Sequence, residues 1–313
     1  MKVCVLGAGA MGSSIGGLLA EGGSEVYLID TWAEHVDAIN SRGLKLRVGA
    51  SEKVVKVRAA ADCWGIGPAD LIIVLVKSFH TREAIEMAGP IIGGTTVIMS
   101  LQNGLGNEEI IAEVVGRKQV LGGRTFAGGS LLAPGQVIAS TMGKPTYIGE
   151  LDGKTTERVT RIAGEFERAG LLITVSPNIV GIMWDKLLVN VATGAHCGIT
   201  GLPYGGLYKM PELRDCALEA VAEGIAVARA NGVGLSTKAP EEAWFKASEG
   251  LPEDFKPSIL QSLEKGLRTE IDFINGAVVR FGAKCNVPTP VNWTLVAGIK
   301  GIEYRIAHYV KKA

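Results

Sequence analysis

The sequence predicts an α/β N-terminal domain with a doubly wound, Rossmann-type sheet, followed by a mostly α-helical C-terminal domain. A G-x-G-x-x-G pattern follows a strand-like stretch at the N-terminus, and strand and helix patterns then alternate through the first half. After Pro177 strand patterns nearly vanish and long helical patterns take their place. Such alternation is typical of a parallel sheet covered by helices. We expect a dinucleotide-binding domain over residues 1–177 and a helical substrate or catalytic domain over residues 178–313.

The glycine-rich pattern lies between a predicted strand, Lys2–Leu6, and a predicted helix. In a dinucleotide-binding loop the first glycine permits a tight turn, the second lets the backbone approach a pyrophosphate, and the third allows close helix packing. The helix that follows directs unpaired N–H groups at the phosphates. A glycine-rich turn without a ligand is the alternative. We expect the whole loop to bind the cofactor: Gly7, Ala8, Gly9, Ala10, Met11 and Gly12.

The next predicted strand, Glu25–Ile29, ends at Asp30. A carboxylate about 20 residues beyond the glycines binds the adenosine ribose in NAD sites. It would repel the 2′-phosphate of NADP, and no arginine follows it directly. The sequence therefore favours NAD over NADP. Asp30 also suits the N-cap of the helix that begins near Trp32, and both roles are compatible.

Further patterns complete the first domain. A helix at 32–43 ends at Gly43, a residue type that commonly follows a helix C-terminus. The continuous apolar run at 70–76 is typical of a parallel strand that is buried on both faces. Other predicted strands lie at 44–48, 54–57, 95–99, 119–121, 136–139, 145–148 and 171–175, and a helix lies at 155–168.

The second domain is predicted from four helical patterns, at residues 179–193, 212–231, 256–281 and 289–308. The intervening stretch 232–257 is rich in glycine and proline, so we expect loops around one short helix.

Composition excludes several classes of function. Lys plus Arg equals Asp plus Glu, so the formal net charge is zero and gives no electrostatic reason to expect nucleic acid or a membrane as partner. No apolar run approaches the roughly 20 residues of a membrane span. We find no signal peptide and no paired C-x-x-C cysteines, so we expect reduced thiols, with Cys4 in the core, in a cytoplasmic protein. The histidines are scattered, so we expect no metal.

Polar residues follow two predicted strands directly. Lys77 comes after the 70–76 strand, and Gln102, Asn103 and Gly104 come soon after the 95–99 strand. In open α/β sheets ligands bind at the carboxyl ends of strands. Asn-Gly is also a common turn dipeptide. Asn103 is therefore a candidate to contact the nicotinamide or its ribose, with a simple turn as the alternative.

The helical domain offers two candidates for chemistry. Lys186 and Asn190 are four residues apart and share one face of an otherwise apolar helix. Such a lysine either extends its ammonium to the surface or serves as a partly buried proton donor. Glu270 is either a solvated residue or an ion-pair partner, for example of Arg268. His196 is a weaker alternative acid that fits a core or capping histidine better.

Five segments in this order together resemble the ketopantoate reductase family, the 2-dehydropantoate 2-reductases. They are GAGAMG at 7–12, VK at 76–77, QNGLGN at 102–107, KLLVN at 186–190 and PSILQSLEKGLRTEIDFING at 257–276. The last segment is the most specific, and the resemblance covers nearly the whole chain.

The resemblance implies a role for each matching residue. Lys186 would be the general acid that protonates the substrate carbonyl oxygen as a hydride arrives from the nicotinamide. Asn103 would contact cofactor and substrate, and Lys77 would lie along the cofactor. Asn190 and Ser258 would hold substrate oxygens, and Glu270 would bind a substrate hydroxyl. A homodimer through the helical domain is also implied.

The sequence departs from the family pattern at several positions. Gly194 stands where the family usually has a second Asn, and Asp30 with Thr31 occupies the corner where an Arg usually selects NADP. The stretch at 193–206 also differs. We expect a nicotinamide-dependent reductase of a small 2-oxo acid, using NAD or less favourably NADP. An opine-type or other 2-hydroxy acid dehydrogenase is the first alternative, and a non-catalytic NAD-binding sensor is the second.

Overall fold

The computed structural model describes residues 1–310. The last three residues of the predicted second domain, 311–313, lie outside the described residues. The chain divides into two compact units. The first consists of Met1–Gln102 and Asn107–Ile179, and the second of Asn103–Gly106 and the chain from Val180 onward.

The first unit contains two sheets. Its strands are β1 (Lys2–Leu6), β2 (Glu25–Ile29), β3 (Leu44–Val48), β4 (Ser51–Val55), β5 (Arg58–Ala60), β6 (Leu71–Val74), β7 (Val97–Ser100), β8 (Val120–Thr125), β9 (Gly128–Ala133), β10 (Gln136–Ser140), β11 (Thr146–Gly149) and β12 (Ile173–Val175).

The larger sheet has the order β12-β11-β8-β7-β6-β1-β2-β5. Strand β1 pairs in parallel with β2 on one side and with β6 on the other, so the chain winds outward in both directions from β1. Only β11 runs antiparallel to a neighbour, β8. The doubly wound fold is therefore present as predicted, and β1 marks the point where the strand order reverses and ligands bind in such sheets.

The smaller sheet has the order β4-β3-β10-β9. Strand β9 was not predicted, because its sequence GGSLLA begins with two glycines and lacks an alternating pattern. The predicted strand at 54–57 falls instead across the end of β4 and the gap before β5. This sheet packs on the first helix, since the backbone at Gly129 comes close to Ala10 and Ser14.

Five α-helices lie in the first unit: α1 (Ala10–Glu21), α2 (Ala33–Arg42), α3 (Thr81–Met87), α4 (Asn107–Val115) and α5 (Glu157–Arg168). Glycine is used where α1 meets the sheet, because a Cβ on Gly16 would lie 2.5 Å from the Leu28 side chain. The central strands β6 and β7 are buried along their whole length, as the apolar sequences predict.

The described part of the second unit contains helices and no strand. They are α6 (Ile179–Thr200), α7 (Tyr204–Leu207), α8 (Pro211–Ala230), α9 (Pro240–Ser248), α10 (Ser258–Glu264), α11 (Asn275–Lys284) and α12 (Pro290–Tyr309), with a 3₁₀ turn at Ile271–Phe273. Helix α9 is the single short helix expected between residues 232 and 257.

The prediction of one continuous helix over 256–281 is wrong. Helix α10 ends at a glycine-based C-cap in which Gly266 has a φ of 67°. The Leu267 N–H donates to the Ser262 carbonyl oxygen (2.9 Å), and the Gly266 N–H donates to the Leu263 carbonyl oxygen (3.0 Å). These two bonds form a Schellman motif, which terminates a helix by satisfying its last carbonyls. The chain then turns through the 3₁₀ segment before α11 begins.

Within residues 1–310, no helix combines the length and the apolar character that a membrane crossing requires.

Candidate active site

The glycine-rich loop has the backbone that a dinucleotide-binding turn requires. Gly7 has a φ of 93°, and its N–H donates to the Ile29 carbonyl oxygen (2.8 Å). A Cβ on Gly7 would lie 2.6 Å from the Val76 backbone nitrogen, and one on Gly12 would lie 1.9 Å from the Gly7 oxygen. Both glycines are therefore required by close backbone approach.

Gly9 differs from its two neighbours in the pattern. It is exposed, and an added Cβ would meet no heavy atom within 4 Å. Helix α1 begins at the next residue, and no side chain caps its N-terminus. Free N–H groups at a helix N-terminus, beside an open backbone surface, suit a phosphate group. The loop therefore fits the pyrophosphate of a dinucleotide.

Asp30 lies immediately after β2, where the fingerprint places a ribose-binding carboxylate. Its N–H donates to the Ala60 carbonyl oxygen (3.1 Å), and its Oδ1 accepts from the Trp32 N–H (3.0 Å). The N-cap of α2 is Trp32, so the expectation that Asp30 caps this helix is wrong; one carboxylate oxygen of Asp30 instead stabilises the turn that precedes α2. The ribose contact stays a prediction.

Gln102 joins the ends of two sheet strands. Its Nε2 donates to the Val76 carbonyl oxygen (2.7 Å) and to Thr81 Oγ1 (2.9 Å), while its Oε1 lies 3.1 Å from Ser100 Oγ. The side chain is only 3% exposed. Gln102 thereby fixes the backbone that leads directly into the exposed Lys77. The sequence placed Gln102 in the QNG segment but assigned it no role.

The loop Asn103–Gly106 packs within the second unit, against the 3₁₀ turn at Ile271–Phe273. The Leu105 N–H donates to the Phe273 carbonyl oxygen (2.8 Å). Gly104 has a φ of 80°, and a Cβ there would lie 2.4 Å from the same oxygen. The structure therefore brings the Asn103 loop to the segment that begins with Glu270, although more than 160 residues separate them in the sequence.

Glu270 is buried at the start of that turn, with 7% of its surface exposed. Its backbone oxygen accepts from the Phe273 N–H (2.9 Å). The preceding Thr269 donates from both N–H and Oγ1 to Glu303 Oε1, each at 2.7 Å. Helix α12 thus holds the backbone that carries the Glu270 carboxylate.

Lys186 and Asn190 are both half-buried on α6, with Leu187 and Leu188 in the core between them. The neighbouring Asp185 accepts from the N–H groups of Ser236 (3.0 Å) and Thr237 (2.9 Å) and from Ser236 Oγ (2.7 Å). Burial raises the pKa of Asp185, but these hydrogen bonds outweigh burial and hold that pKa below its usual value. Asp185 therefore anchors the Lys186 turn of α6 to the loop before α9.

Helix α10 begins at the predicted substrate residue Ser258 and packs on α6 at Gly194, the position that departs from the family pattern. Ser258 is exposed as the first residue of α10. Gly194 is buried, and a Cβ on it would lie 3.1 Å from the Cδ1 atom of Ile259. The position where the family usually has a second Asn is therefore closed by an apolar side chain.

His196 has the surroundings of a core residue. It is 2% exposed, and neither ring nitrogen has a hydrogen-bond partner within residues 1–310. Burial lowers the pKa of His196 to about 4. A neutral, enclosed imidazole does not suit a general acid. No group of three or more His, Cys, Asp or Glu side chains in the described chain is placed to hold a metal ion.

Comparison with known proteins decides the family. A family model described as "Ketopantoate reductase PanE/ApbA" matches residues 3–153, and its C-terminal counterpart matches residues 178–303. The chain belongs to the ketopantoate reductase family. This membership confirms the predicted family and the predicted enzyme class, an oxidoreductase that acts on CH–OH groups. The opine-type and sensor alternatives are not favoured.

Relatives and solved structures match this ketopantoate reductase family chain over nearly its whole length. A 2-dehydropantoate 2-reductase from Pyrococcus horikoshii is 39% identical over 97% of this chain and 98% of its own. The crystal structure of a PanE/ApbA family ketopantoate reductase from Ralstonia eutropha is 34% identical, covers 98% of this chain and all of its own, and has a TM-score of 0.90. A D-mandelate dehydrogenase with NADH and anilino(oxo)acetate is 28% identical over 98% of this chain and 99% of its own, with a TM-score of 0.89.

Proposed function

We propose that this protein is a 2-dehydropantoate 2-reductase that reduces ketopantoate to the corresponding 2-hydroxy acid with NADH. The observation that carries the proposal is the match of both family models, one over the glycine-rich loop and one over the segments of Lys186 and Glu270. The close packing of the Asn103 loop on the Glu270 segment supports it.

The cofactor would bind at the loop 7–12. The open backbone at Gly9 and the uncapped α1 N-terminus suit a pyrophosphate, while Asp30 would bind the adenosine ribose. The residues after Asp30 are Thr31, Trp32 and Ala33, and none of them could neutralise a 2′-phosphate. These features support NADH over NADPH. The NADH bound by the related D-mandelate dehydrogenase shows that this fold accommodates that cofactor.

The reaction needs a proton donor as well as a hydride donor. A bound dihydronicotinamide supplies the hydride to the substrate carbonyl carbon. The Lys186 ammonium would donate a proton to the carbonyl oxygen, which stabilises the alkoxide charge that develops there. The core residues on either side of Lys186 and the anchoring of Asp185 support a fixed direction for this side chain.

The remaining predicted residues would orient the substrate. Asn190 lies one helical turn from Lys186 and would hold substrate oxygens together with Ser258. The buried carboxylate of Glu270 would accept a hydrogen bond from a substrate hydroxyl. Asn103 would contact both cofactor and substrate, and Lys77 would lie along the cofactor.

The two parts of the chain would divide this work. We place cofactor binding in residues 1–177 and substrate binding in residues 178–313, and we expect a homodimer that forms through the helical part.

The experiment that tests the proposal is the oxidation of NADH, with NADPH in parallel, on addition of ketopantoate. Rapid turnover with a higher kcat/KM for NADH is the expected result. Pyruvate, phenylglyoxylate and an amine-supplemented 2-oxo acid serve as comparison substrates. Turnover of one of these without turnover of ketopantoate would overturn the substrate assignment. NADH binding without turnover of any of them would favour the sensor.

A further inference from the structure

A buried histidine lies behind the glycine-rich loop at the centre of a hydrogen-bonded chain. His35, on α2, is fully buried. Its Nε2 lies 3.1 Å from Ser13 Oγ, and Ser13 Oγ lies 2.6 Å from the carbonyl oxygen of Ala8. Its Nδ1 lies 3.0 Å from the backbone nitrogen of Gly135, in the turn between β9 and β10. The histidine thus connects α2, α1 and the smaller sheet to the loop.

The hydrogen-bond partners determine which atom carries each proton between Gly135, His35, Ser13 and Ala8. The Gly135 N–H can only donate, so Nδ1 is an acceptor and carries no proton. A neutral imidazole then has its proton on Nε2, which donates to Ser13 Oγ. The single hydroxyl proton of Ser13 is left to donate to the Ala8 oxygen. Burial lowers the pKa of His35, which favours the same neutral form.

The hydrogen bond from Ser13 to the Ala8 carbonyl fixes the direction of the Gly9 N–H in the glycine-rich loop. The peptide between Ala8 and Gly9 is trans, so the Ala8 carbonyl and the Gly9 N–H point to opposite sides. Ser13 holds the carbonyl on the α1 side, so the Gly9 N–H must point away from α1. Gly9 is the glycine whose surface is open, which makes its N–H a group that a pyrophosphate could approach.

The same imidazole also supports the turn that carries Asp30. Trp32 stacks on the His35 ring, with ring centroids 5.3 Å apart and planes 8° from parallel. The Trp32 N–H donates to Asp30 Oδ1 (3.0 Å). One buried side chain is therefore linked, through Ser13 and through Trp32, to both structures that the proposed function assigns to the cofactor: the pyrophosphate loop and Asp30.

We propose that His35 is a positioning residue for the dinucleotide: through Ser13 it fixes the Ala8–Gly9 peptide, and through Trp32 it fixes the Asp30 turn. This inference rests on the proposed function, because it assumes that the loop binds NADH. His35 does not touch the cofactor and takes no part in the chemical step. Its loss should therefore weaken cofactor binding while leaving hydride transfer intact.

Two substitutions separate the two ring nitrogens. In His35→Gln the amide nitrogen can reach the place of Nε2 and keep the bond to Ser13. In His35→Asn the amide oxygen can take the place of Nδ1 and keep the bond to Gly135, while the bond to Ser13 is lost. Ser13→Ala removes the hydroxyl that connects His35 to the Ala8 carbonyl and leaves the histidine itself unchanged. The exposed His308 on α12 provides the matched control, His308→Gln.

The experiment measures the Kd of NADH by its fluorescence, with KM and kcat measured in parallel. We expect Ser13→Ala and His35→Asn each to raise the Kd and KM for NADH about tenfold, the effect of losing one positioned hydrogen bond. His35→Gln should rescue most of this loss, and kcat at saturating NADH should stay within about twofold of the wild type. The double variant S13A/H35N should bind NADH no worse than either single variant, because both substitutions break the same connection from His35 through Ser13 to Ala8.

The outcomes distinguish this inference from the proposed function. If the wild type binds NADH and Ser13→Ala binds it equally well, the positioning role is wrong while the proposed function stands. If His35→Asn and His35→Gln lose thermal stability equally with no change in Kd, His35 is a core residue only, and the inference is again overturned. If the wild type binds neither NADH nor NADPH, the proposed function itself fails.

Discussion

Gly194 on α6 lies directly against Ile259 on α10, so that a Cβ at position 194 would come within 3.1 Å of the Ile259 Cδ1 atom. A Cβ on the next glycine of the same helix face, Gly198, would come still closer to Ile259, at 2.8 Å from its Cγ2 atom. The two helices approach through glycine, and Ile259 fills the space that a polar side chain at 194 would need. Ser258, which we propose to hold substrate oxygens, immediately precedes Ile259.

This contact predicts that Gly194→Asn, which restores the usual family residue, is destabilising in this chain. Overpacking of a closed contact costs about 1–3 kcal/mol. The double variant G194N/I259A should recover part of that loss, because the smaller residue makes room. A double-mutant cycle on thermal unfolding measures the coupling. Strictly additive effects would show that the two side chains do not compete for the same space.

Replacement of the proposed acid should act on chemistry rather than on binding. We expect Lys186→Ala to lower kcat by about two orders of magnitude or more, with the Kd of NADH nearly unchanged. Lys246→Ala, at an exposed position on α9, is the matched control and should change neither kcat nor the Kd of NADH. If kcat falls by less than about tenfold, Lys186 is not the general acid.

Asp30 can be tested for charge and for turn formation separately. In Asp30→Asn the Oδ1 acceptor for the Trp32 N–H is retained while the negative charge is lost. We expect weaker NADH binding, stronger NADPH binding and nearly unchanged thermal stability, because only the charge repels a 2′-phosphate. Asp30→Ala should lose stability as well, because the Trp32 N–H then loses its side-chain acceptor. Equal changes for both cofactors would leave Asp30 as a turn residue alone.

The buried amide of Gln102 predicts a stability effect. Gln102→Ala removes the donor to the Val76 oxygen and to Thr81 Oγ1. The expected loss is about 1–3 kcal/mol in the unfolding of the first unit. Gln261→Ala, which removes one exposed hydrogen bond to the Lys256 oxygen, should cost far less in the same thermal denaturation assay. Equal losses would contradict the joining role of Gln102.

His196 predicts a pH dependence of stability with a definite sign. Its folded-state pKa of about 4 lies below the ordinary value of 6.5, so the unfolded chain binds a proton more readily than the folded chain. The contribution of neutral His196 to the free energy of unfolding is therefore fully present above pH 6.5. It is lost as the pH falls toward 4 and below, and the total loss is on the order of 3 kcal/mol. Thermal unfolding of the wild type and of His196→Leu across this range should show a steeper decline for the wild type. Parallel curves would mean that His196 is hydrated and titrates normally in the fold.

Local signals account for what the sequence predicted well. Continuous apolar runs specify β6 and β7, and the glycine pattern specifies the β1-to-α1 turn, because each feature is encoded within a few adjacent residues. The end of α10 was also encoded locally, in Gly266, but the helical periodicity on both sides concealed it.

The parts that were missed depend on tertiary proximity. The bond from Ser13 to His35 spans 22 residues, and the bond from Gly135 to His35 spans 100. The packing of the Asn103 loop on the Phe273 turn likewise joins distant segments. No pattern in the sequence marks which distant backbone group a buried imidazole or a loop will meet, so Gln102 and His35 acquired roles only in the folded structure.

The packing of Leu105 on Phe273 has a consequence for dissecting the protein. A fragment that starts at Val180 carries the helices of the second unit, apart from the first residue of α6, but lacks Asn103–Gly106, which are synthesised far earlier. Such a fragment would leave the Phe273 carbonyl without its Leu105 partner and would lose Asn103 altogether. A genetic fusion or split-protein design that cuts the chain after Ile179 therefore separates the second unit from residues 103–106, which belong to it. A fragment meant to fold as the second unit would need residues 103–106 supplied as a separate peptide or grafted in.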